Sequence, residues 1–395
     1  MKRFVGFLFL ALAALSAPAS AQIGGLPPVQ LPGAPQLPGV GDVVDGATDV
    51  TTRAGEQLRN ARRLEVRSLL RRNGRVLEAD PNGEPIIRSQ ILGLDMSEEA
   101  IDAALAAGFE IVSNEVLDGE YSLATLRAPR GMSTRRALRT LRELDGRGVY
   151  DFDHLHLESG VGAALLPFAQ TSAGASGPRI GLIDGGVSGA VEAQRAFAGD
   201  APVVNAHGTL VADLIRQGAP GARIYAADIY GGVPTGGASS ALVRALGWMA
   251  EQNVPVINVS LVGPRNTVVA AVVSRMVSRG YVIVAAVGND GPAAAPLFPA
   301  SYPGVVGVTG VDARERVLIE AGRGEQVDFA ALGIHGRARG TSFAAPLISA
   351  RIAMQLASPN AERAASAVAT IRNQARDLGR EGRDDVYGFG LITFR

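Results

Sequence analysis

The sequence predicts an α/β domain with a doubly wound, mainly parallel sheet, preceded by a small α+β domain of split β-α-β order. Three observations carry this reading. From Arg179 onward, short runs rich in Val, Ile and Ala alternate with helical periods. Those runs are nearly continuous in apolar residues, as expected of strands covered on both faces. Between 85 and 158 the order is instead strand, helix, strand, strand, helix, strand.

The first element in the chain is an address. Lys2 and Arg3 precede an apolar run from Phe4 to Leu15, and Ala19-Ser20-Ala21 supplies an A-x-A cleavage pattern. Residues 1–21 are therefore read as a secretory signal peptide, and the protein as exported, periplasmic or extracellular. The run is well short of the ~20 apolar residues that span a bilayer, so no stable membrane insertion is expected once it is removed. Residues 22–48, rich in Pro and Gly, read as a linker. Residues 49–84 read as an Arg-rich helix and hairpin. Leu58, Ala61, Leu64 and Leu69 recur at helical spacing over 52–73, and Asn73-Gly74 can end the helix. Its Arg face is read as solvated, the alternative being that it meets an acidic surface.

In the 85–158 domain, Ile86 to Leu94 is a strand. Ser97 caps a helix to Ala107, closed by Gly108. Glu110 to Leu117 and Tyr121 to Ala128 form a hairpin around Asp118-Gly119. Ser133 caps a second helix to Leu144, and Val149 to Leu157 is the last strand. Residues 159–177 are small and Gly/Ala-rich, and read as an exposed connector.

The domain over 178–395 takes its strands from Ile180–Asp184, Arg223–Ile229, Val254–Ser260, Tyr281–Val287 and Val305–Val311. Its helices fit Gly208–Arg216, Ser239–Gln252, Thr267–Arg279 and Thr341–Leu356. Reactive groups in such sheets sit at the carboxyl ends of strands and at the helix starts that follow.

Composition narrows the chemistry. There is no cysteine in the 395 residues, so disulfides, thiolate zinc sites and a Cys nucleophile are excluded. A formal net charge of zero gives no long-range pull toward nucleic acid. No cofactor or metal is called for.

Four segments place a reactive side chain at a strand-to-helix edge. Gly181-Leu182-Ile183-Asp184-Gly185-Gly186 ends a strand in a carboxylate. Asn205-Ala206-His207-Gly208-Thr209 opens a helix with an imidazole, Asn205 being a candidate cap. Ala286-Val287-Gly288-Asn289-Asp290-Gly291 ends a strand in an amide. Gly340-Thr341-Ser342-Phe343-Ala344-Ala345-Pro346 puts a hydroxyl at the first turn of an apolar helix. Taken singly, each residue is more readily a cap or turn residue. Their joint occurrence, a carboxylate, an imidazole, an amide and a hydroxyl each at such an edge of one domain, favours a catalytic reading.

These segments, in the order Asp, His, Ser, resemble the subtilisin-like serine peptidases, or subtilases. GTSFAAP is the most specific of them; HGTLVA and VGNDG are specific in combination. The resemblance covers about 179–395, and more weakly 86–158. It implies a serine endopeptidase acting on protein or peptide substrates, with Ser342 as nucleophile, His207 as base and acid, Asp184 as orienting group and Asn289 as oxyanion donor. It implies a substrate-binding edge at Ser260, Leu261, Val262 and Gly263, with Val287 and Gly288 opposite. Val at 262 and 287, where relatives carry Gly and Ala, implies a narrowed pocket for small residues, unless one Val turns into the core. Residues 85–158 resemble the family's propeptide, an inhibitor and chaperone acting in cis. Val149 to His154 would then lie along the cleft, with processing somewhere in 157–177. The short step from Gln217 to Arg223 leaves out the loop that ligates calcium in many relatives. An inert binding or chaperone module, and an esterase using the same triad, are the alternatives. His154 and His156 read as solvated strand residues rather than metal ligands, and His335 as a loop residue.

Overall fold

The structure, a computed structural model, describes residue 58, residues 60–160 and residues 177–393. The signal-peptide and linker readings, and the connector from 161 to 176, lie outside the described residues. Among the described residues no helix is long and apolar enough to cross a membrane.

Helix α1 covers residues 60–72 and ends at Asn73-Gly74, where the Asn73 amide donates to the Leu69 carbonyl at 3.0 Å. The small domain follows as β1 (Leu77–Ala79), β2 (Pro85–Leu94), α2 (Glu98–Ala106), β3 (Glu110–Leu117), β4 (Tyr121–Arg127), α3 (Thr134–Leu144) and β5 (Val149–His154). Ser97 and Ser133 cap their helices as anticipated, each hydroxyl accepting a main-chain N–H three residues on. Asp118 and Gly119 take left-handed φ of 52° and 65° in the three-residue loop between Leu117 and Tyr121. β2 is central, with β5 antiparallel along one edge, β4 along the other, and β3 outside β4. Alternate residues serve two cores. Ile91, Leu126 and Phe152 pack with residues of α2 and α3, whereas Leu92, Leu94 and Leu123 enter the core of the larger domain.

The larger domain comprises β6 (Leu157–Glu158), β7 (Arg179–Asp184), β8 (Ala193–Ala196), α4 (Ala206–Gly218), β9 (Arg223–Asp228), α5 (Ser239–Glu251), β10 (Val256–Val259) and β11 (Leu261–Val262). It continues with α6 (Thr267–Ser278), β12 (Val282–Ala286), β13 (Val306–Val311), β14 (Phe329–Leu332), β15 (Ile334–His335), β16 (Ala338–Arg339), a 3₁₀ turn (Thr341–Phe343), α7 (Ala345–Ala353) and α8 (Ala361–Gln374). Seven strands form one parallel sheet in the order β14-β13-β12-β10-β7-β9-β8. Helices α5 and α6 cover one face; α4, α7 and α8 cover the other. The chain reverses winding direction at β7 and β10, so the crevice at their carboxyl ends is where a site belongs.

Three expectations are corrected. The last strand of the small domain stops at His154 rather than Leu157, and it does not lie along the cleft. β5 stays paired with β2, and its acidic residues dock on helix N-termini. Asp153 accepts from Ser240 N at 2.9 Å and Ser240 Oγ at 2.7 Å, supplying the side-chain cap that α5 lacks. Asp151 accepts from Thr267 N at 2.7 Å in the first turn of α6. The helix expected over Thr341–Leu356 is broken after its first turn. The exposed connector begins later than Ser159, which is buried.

Candidate active site

Asp184 ends β7, and the glycines after it let α4 approach closely. A Cβ at Gly185 would stand 2.5 Å from Asn205 Cβ. Asn205 is the N-cap of α4; its Oδ1 accepts from His207 N at 2.6 Å and Gly208 N at 3.2 Å. This fixes His207 in the first turn, with its ring toward β7. His207 Nδ1 lies 3.0 Å from both Asp184 carboxylate oxygens, and His207 Nε2 lies 3.0 Å from Ser342 Oγ. All three side chains are buried. Burial by itself would lower the His207 pKa, but the Asp184 charge and hydrogen bond, aided by the Glu158 charge, raise it above its ordinary value.

Ser342 sits in the 3₁₀ turn, held by Ser260 Oγ, which donates to the Ser342 carbonyl at 2.9 Å. Asn289 follows β12. Its Oδ1 accepts from Thr341 N at 3.0 Å, fixing the amide so that Nδ2 faces the cleft. Thr341 Oγ1 accepts from Gly288 N at 3.2 Å, tying the two segments together.

The chain itself occupies the cleft. β6 pairs antiparallel with β11, Leu261 opposite Glu158 and Val262 opposite Leu157. Ser159 N donates to Ser260 O at 3.4 Å. Ser342 N donates to Ser159 O at 3.2 Å, and Ser342 Oγ lies against that same oxygen. Asn289 Nδ2 donates to Ser159 Oγ at 3.0 Å. A peptide carbonyl is thus held between a hydroxyl and a main-chain donor. The segment on the cleft is Leu157 to Gly160, a few residues past the strand expected there.

The pocket walls divide the two valines. Val262 lines the cavity beside Ser159, while Val287 packs into the core behind the sheet. One neighbour of Gly288 is a side chain the sequence did not single out. A Cβ on Gly288 would stand 2.5 Å from Leu297 Cδ1 and 3.5 Å from Val262 Cγ1. Leu297 lies just before the Phe298-Pro299 segment, and no local pattern marks it.

The two strand histidines are not solvated. His154 is buried between Asp80 (3.4 Å) and Asn266 (3.0 Å). His156 is fully buried with Nδ1 3.2 Å from Gly237 O, and a Cβ on Gly263 would stand 2.5 Å from its ring. Burial lowers its pKa to about 4. Among the described residues, the group with metal-ligand proximity is Glu158, Asp184 and His207, which neither His154 nor His156 joins. His335 lies in the β15–β16 hairpin, with Nε2 3.0 Å from Leu332 O.

Residues 198–390 match the model of the subtilase family. Over those residues the larger domain is similar to the subtilase family. The match starts after Asp184, which the 3.0 Å contacts with His207 join to the matched segment. The chain is 29% identical over 211 residues to the minor extracellular protease Epr of Bacillus subtilis, covering 48% of this chain and 33% of Epr. It is 29% identical over 212 residues to subtilisin E of the same organism, covering 48% of this chain and 55% of subtilisin E. The aligned part thus spans about a third to a half of these relatives. In fold the chain is similar to fervidolysin from Fervidobacterium pennivorans, with a TM-score of 0.63, 17% identity, and coverage of 80% of this chain and 61% of that one.

Proposed function

We propose that this chain is the self-inhibited precursor of an exported serine endopeptidase. The observation that carries the reading is the Ser159 carbonyl, which meets Ser342 N at 3.2 Å while Ser342 Oγ stands 3.0 Å from His207 Nε2. Pairing of β6 with β11 supports a peptide rather than a simple ester as substrate, because a strand edge recognises main-chain groups on both sides of each residue. Export is supported by the leader pattern of residues 1–21.

In this reading Ser342 Oγ attacks the substrate carbonyl carbon as His207 Nε2 takes its proton. Asp184 holds the imidazole tautomer and stabilises the imidazolium. Ser342 N–H and the Asn289 amide receive the developing oxyanion. The carbon–nitrogen bond then breaks, and His207 returns the proton to the leaving amine. Water, activated by the same imidazole, releases the acyl group and restores Ser342.

The small domain and β6 act as the inhibitor in cis, and Ser159-Gly160 is the bond for self-cleavage. Ser159, as the residue on the acyl side, is small, in keeping with a pocket bordered by Val262. Small acyl-side residues such as Ala, Ser or Val are then favoured.

Labelling by a fluorophosphonate tests the reading. The matured wild-type chain labels at Ser342 and hydrolyses peptides, and Ser342→Ala does neither and remains uncut. A wild-type chain that neither cuts itself nor labels overturns it. Hydrolysis of acyl esters without peptides favours an esterase.

A further inference from the structure

The Arg-rich helix is left without a task by the peptidase reading, yet one of its arginines faces inward. Arg62, Val66 and Leu69 recur at helical spacing along α1, and Val66 is buried. Arg63, Arg67 and Arg71 are exposed, whereas the Arg62 side chain is only 13% exposed. Arg62 Nε stands 3.1 Å from Asp290 Oδ2, and Nη2 stands 3.5 Å from Glu84 Oε2. Asp290 is the neighbour of Asn289 at the cleft rim, and its side chain is 16% exposed. Between α1 and the cleft lies a cavity of about 660 Å³, whose walls include Arg62 and Glu65 on one side and Ser159, Gly160 and Val262 on the other.

We propose that α1 is a second inhibitory arm, latched across the acyl-side half of the cleft by the Arg62–Asp290 ion pair. The proposal rests on the self-inhibited peptidase reading. Topology ties the arm to the first one. α1 leads through Asn73-Gly74 into β1, β1 pairs with β2, and β2 pairs with β5, which feeds the segment lying against Ser342. Cutting Ser159-Gly160 frees the carboxyl end of the first arm and leaves α1 in place. Burial raises the Asp290 carboxyl, and the charges acting on it are Arg62, which opposes that rise, and Glu84 and Glu65, which add to it. All three belong to residues 60–84. Asp290 therefore meets its cation only while the N-terminal segment stays docked. Breaking one partner of a pair this sheltered speeds dissociation rather than abolishing the fold.

The test is hydrogen exchange on the full chain carrying Ser342→Ala, which holds it uncut and needs no activity. Arg62→Gln and Asp290→Asn each raise exchange across residues 60–72 about tenfold, and the double variant raises it no further. Arg88→Gln breaks the Arg88–Glu78 pair (2.8 Å) of the same segment and leaves α1 exchange unchanged. Unchanged exchange in Arg62→Gln, or additive effects in the double variant, overturns the latch. With Ser342 intact, Arg62→Gln shortens about tenfold the lag between the appearance of the cut chain and that of peptide hydrolysis. A chain that never cuts itself refutes the peptidase reading, while the exchange result still decides the latch.

Discussion

The main-chain N–H of Ser342 donates to the carbonyl oxygen of Ser159 at 3.2 Å, across 183 residues of chain. This one bond defines which peptide faces the hydroxyl, and it orders the cleft. In the proposed precursor reading Ser159 takes the acyl side, Glu158 comes next beside His207, and Gly160 takes the leaving side. A Cβ on Gly160 would collide with Ser342 Oγ, so the glycine lets the main chain pass the nucleophile.

Self-cleavage is expected between Ser159 and Gly160. N-terminal sequencing of the matured protein should return Gly160, and the intact mass should agree. Ser159→Trp should slow the step, because it removes the hydroxyl that Asn289 Nδ2 meets and sets a bulky ring beside Val262. A mature terminus starting at a residue other than Gly160 would count against the register described.

Leu297 stands against Gly288 beside the cleft. Leu297→Gly should raise the preference for Phe over Ala at the acyl-side residue by roughly 10- to 200-fold in kcat/KM, the usual range for a change in a hydrophobic pocket. Val287→Ala should change stability more than selectivity, since that side chain packs in the core. A wild-type enzyme that already prefers Phe would contradict this account.

Asn289→Ala should lower kcat by about 10²–10³ with little change in KM, as for other donors that act on the developing oxyanion. The amide is also held by Thr341 N at 3.0 Å, so circular dichroism and a melting curve should accompany the kinetics. A loss confined to KM would reassign Asn289 to substrate binding.

The pH dependence of self-cleavage should differ from that of peptide hydrolysis. The reaction needs neutral His207, so its rate climbs as pH rises through the His207 pKa. Burial lowers that pKa, while Asp184 and then Glu158 raise it by more. Glu158→Gln removes one raising charge, and the climb in the self-cleavage rate should move to lower pH. An unshifted profile would mean that the Glu158 carboxylate is too well solvated to act on the imidazole.

His156 should make docking of the small domain sensitive to acid. Burial takes its pKa down to about 4 from an ordinary 6.5. Protons then bind preferentially to the undocked chain, so this stability is present above pH 6.5 and is lost as pH falls toward 4. The full effect is about 3 kcal/mol. In the Ser342→Ala chain, the fall in melting temperature between pH 7 and pH 4.5 should be smaller for His156→Leu than for the parent. Equal falls would show that the ring is not the group responsible.

Much of the fold was legible because its signals are local. Ser97, Ser133 and Asn205 read as caps, and each accepts the main-chain N–H groups expected of one. The apolar runs of β7, β9, β10, β12 and β13 stood out because both faces of a parallel sheet are covered. β8 reads Ala-Gln-Arg-Ala at an edge, and α8 mixes polar and small residues; neither carries a period strong enough to mark it. The apolar neighbours Ile91 and Leu92 did hold a clue. Successive apolar residues in an antiparallel strand mean two covered faces, and the second cover is the larger domain.

By itself the sequence determined which reactive groups stand at the strand-to-helix edges and in which order, because strand ends, glycine turns and helix caps are set by neighbours a few residues apart. Only the tertiary structure decided what those groups meet. His207 lies 23 residues from Asp184 and 135 from Ser342, yet touches both. Packing also sent Val262 to the pocket and Val287 to the core, buried the histidines that seemed solvated, and brought Arg62 to Asp290. Those contacts join segments far apart in the chain, and no local period encodes them.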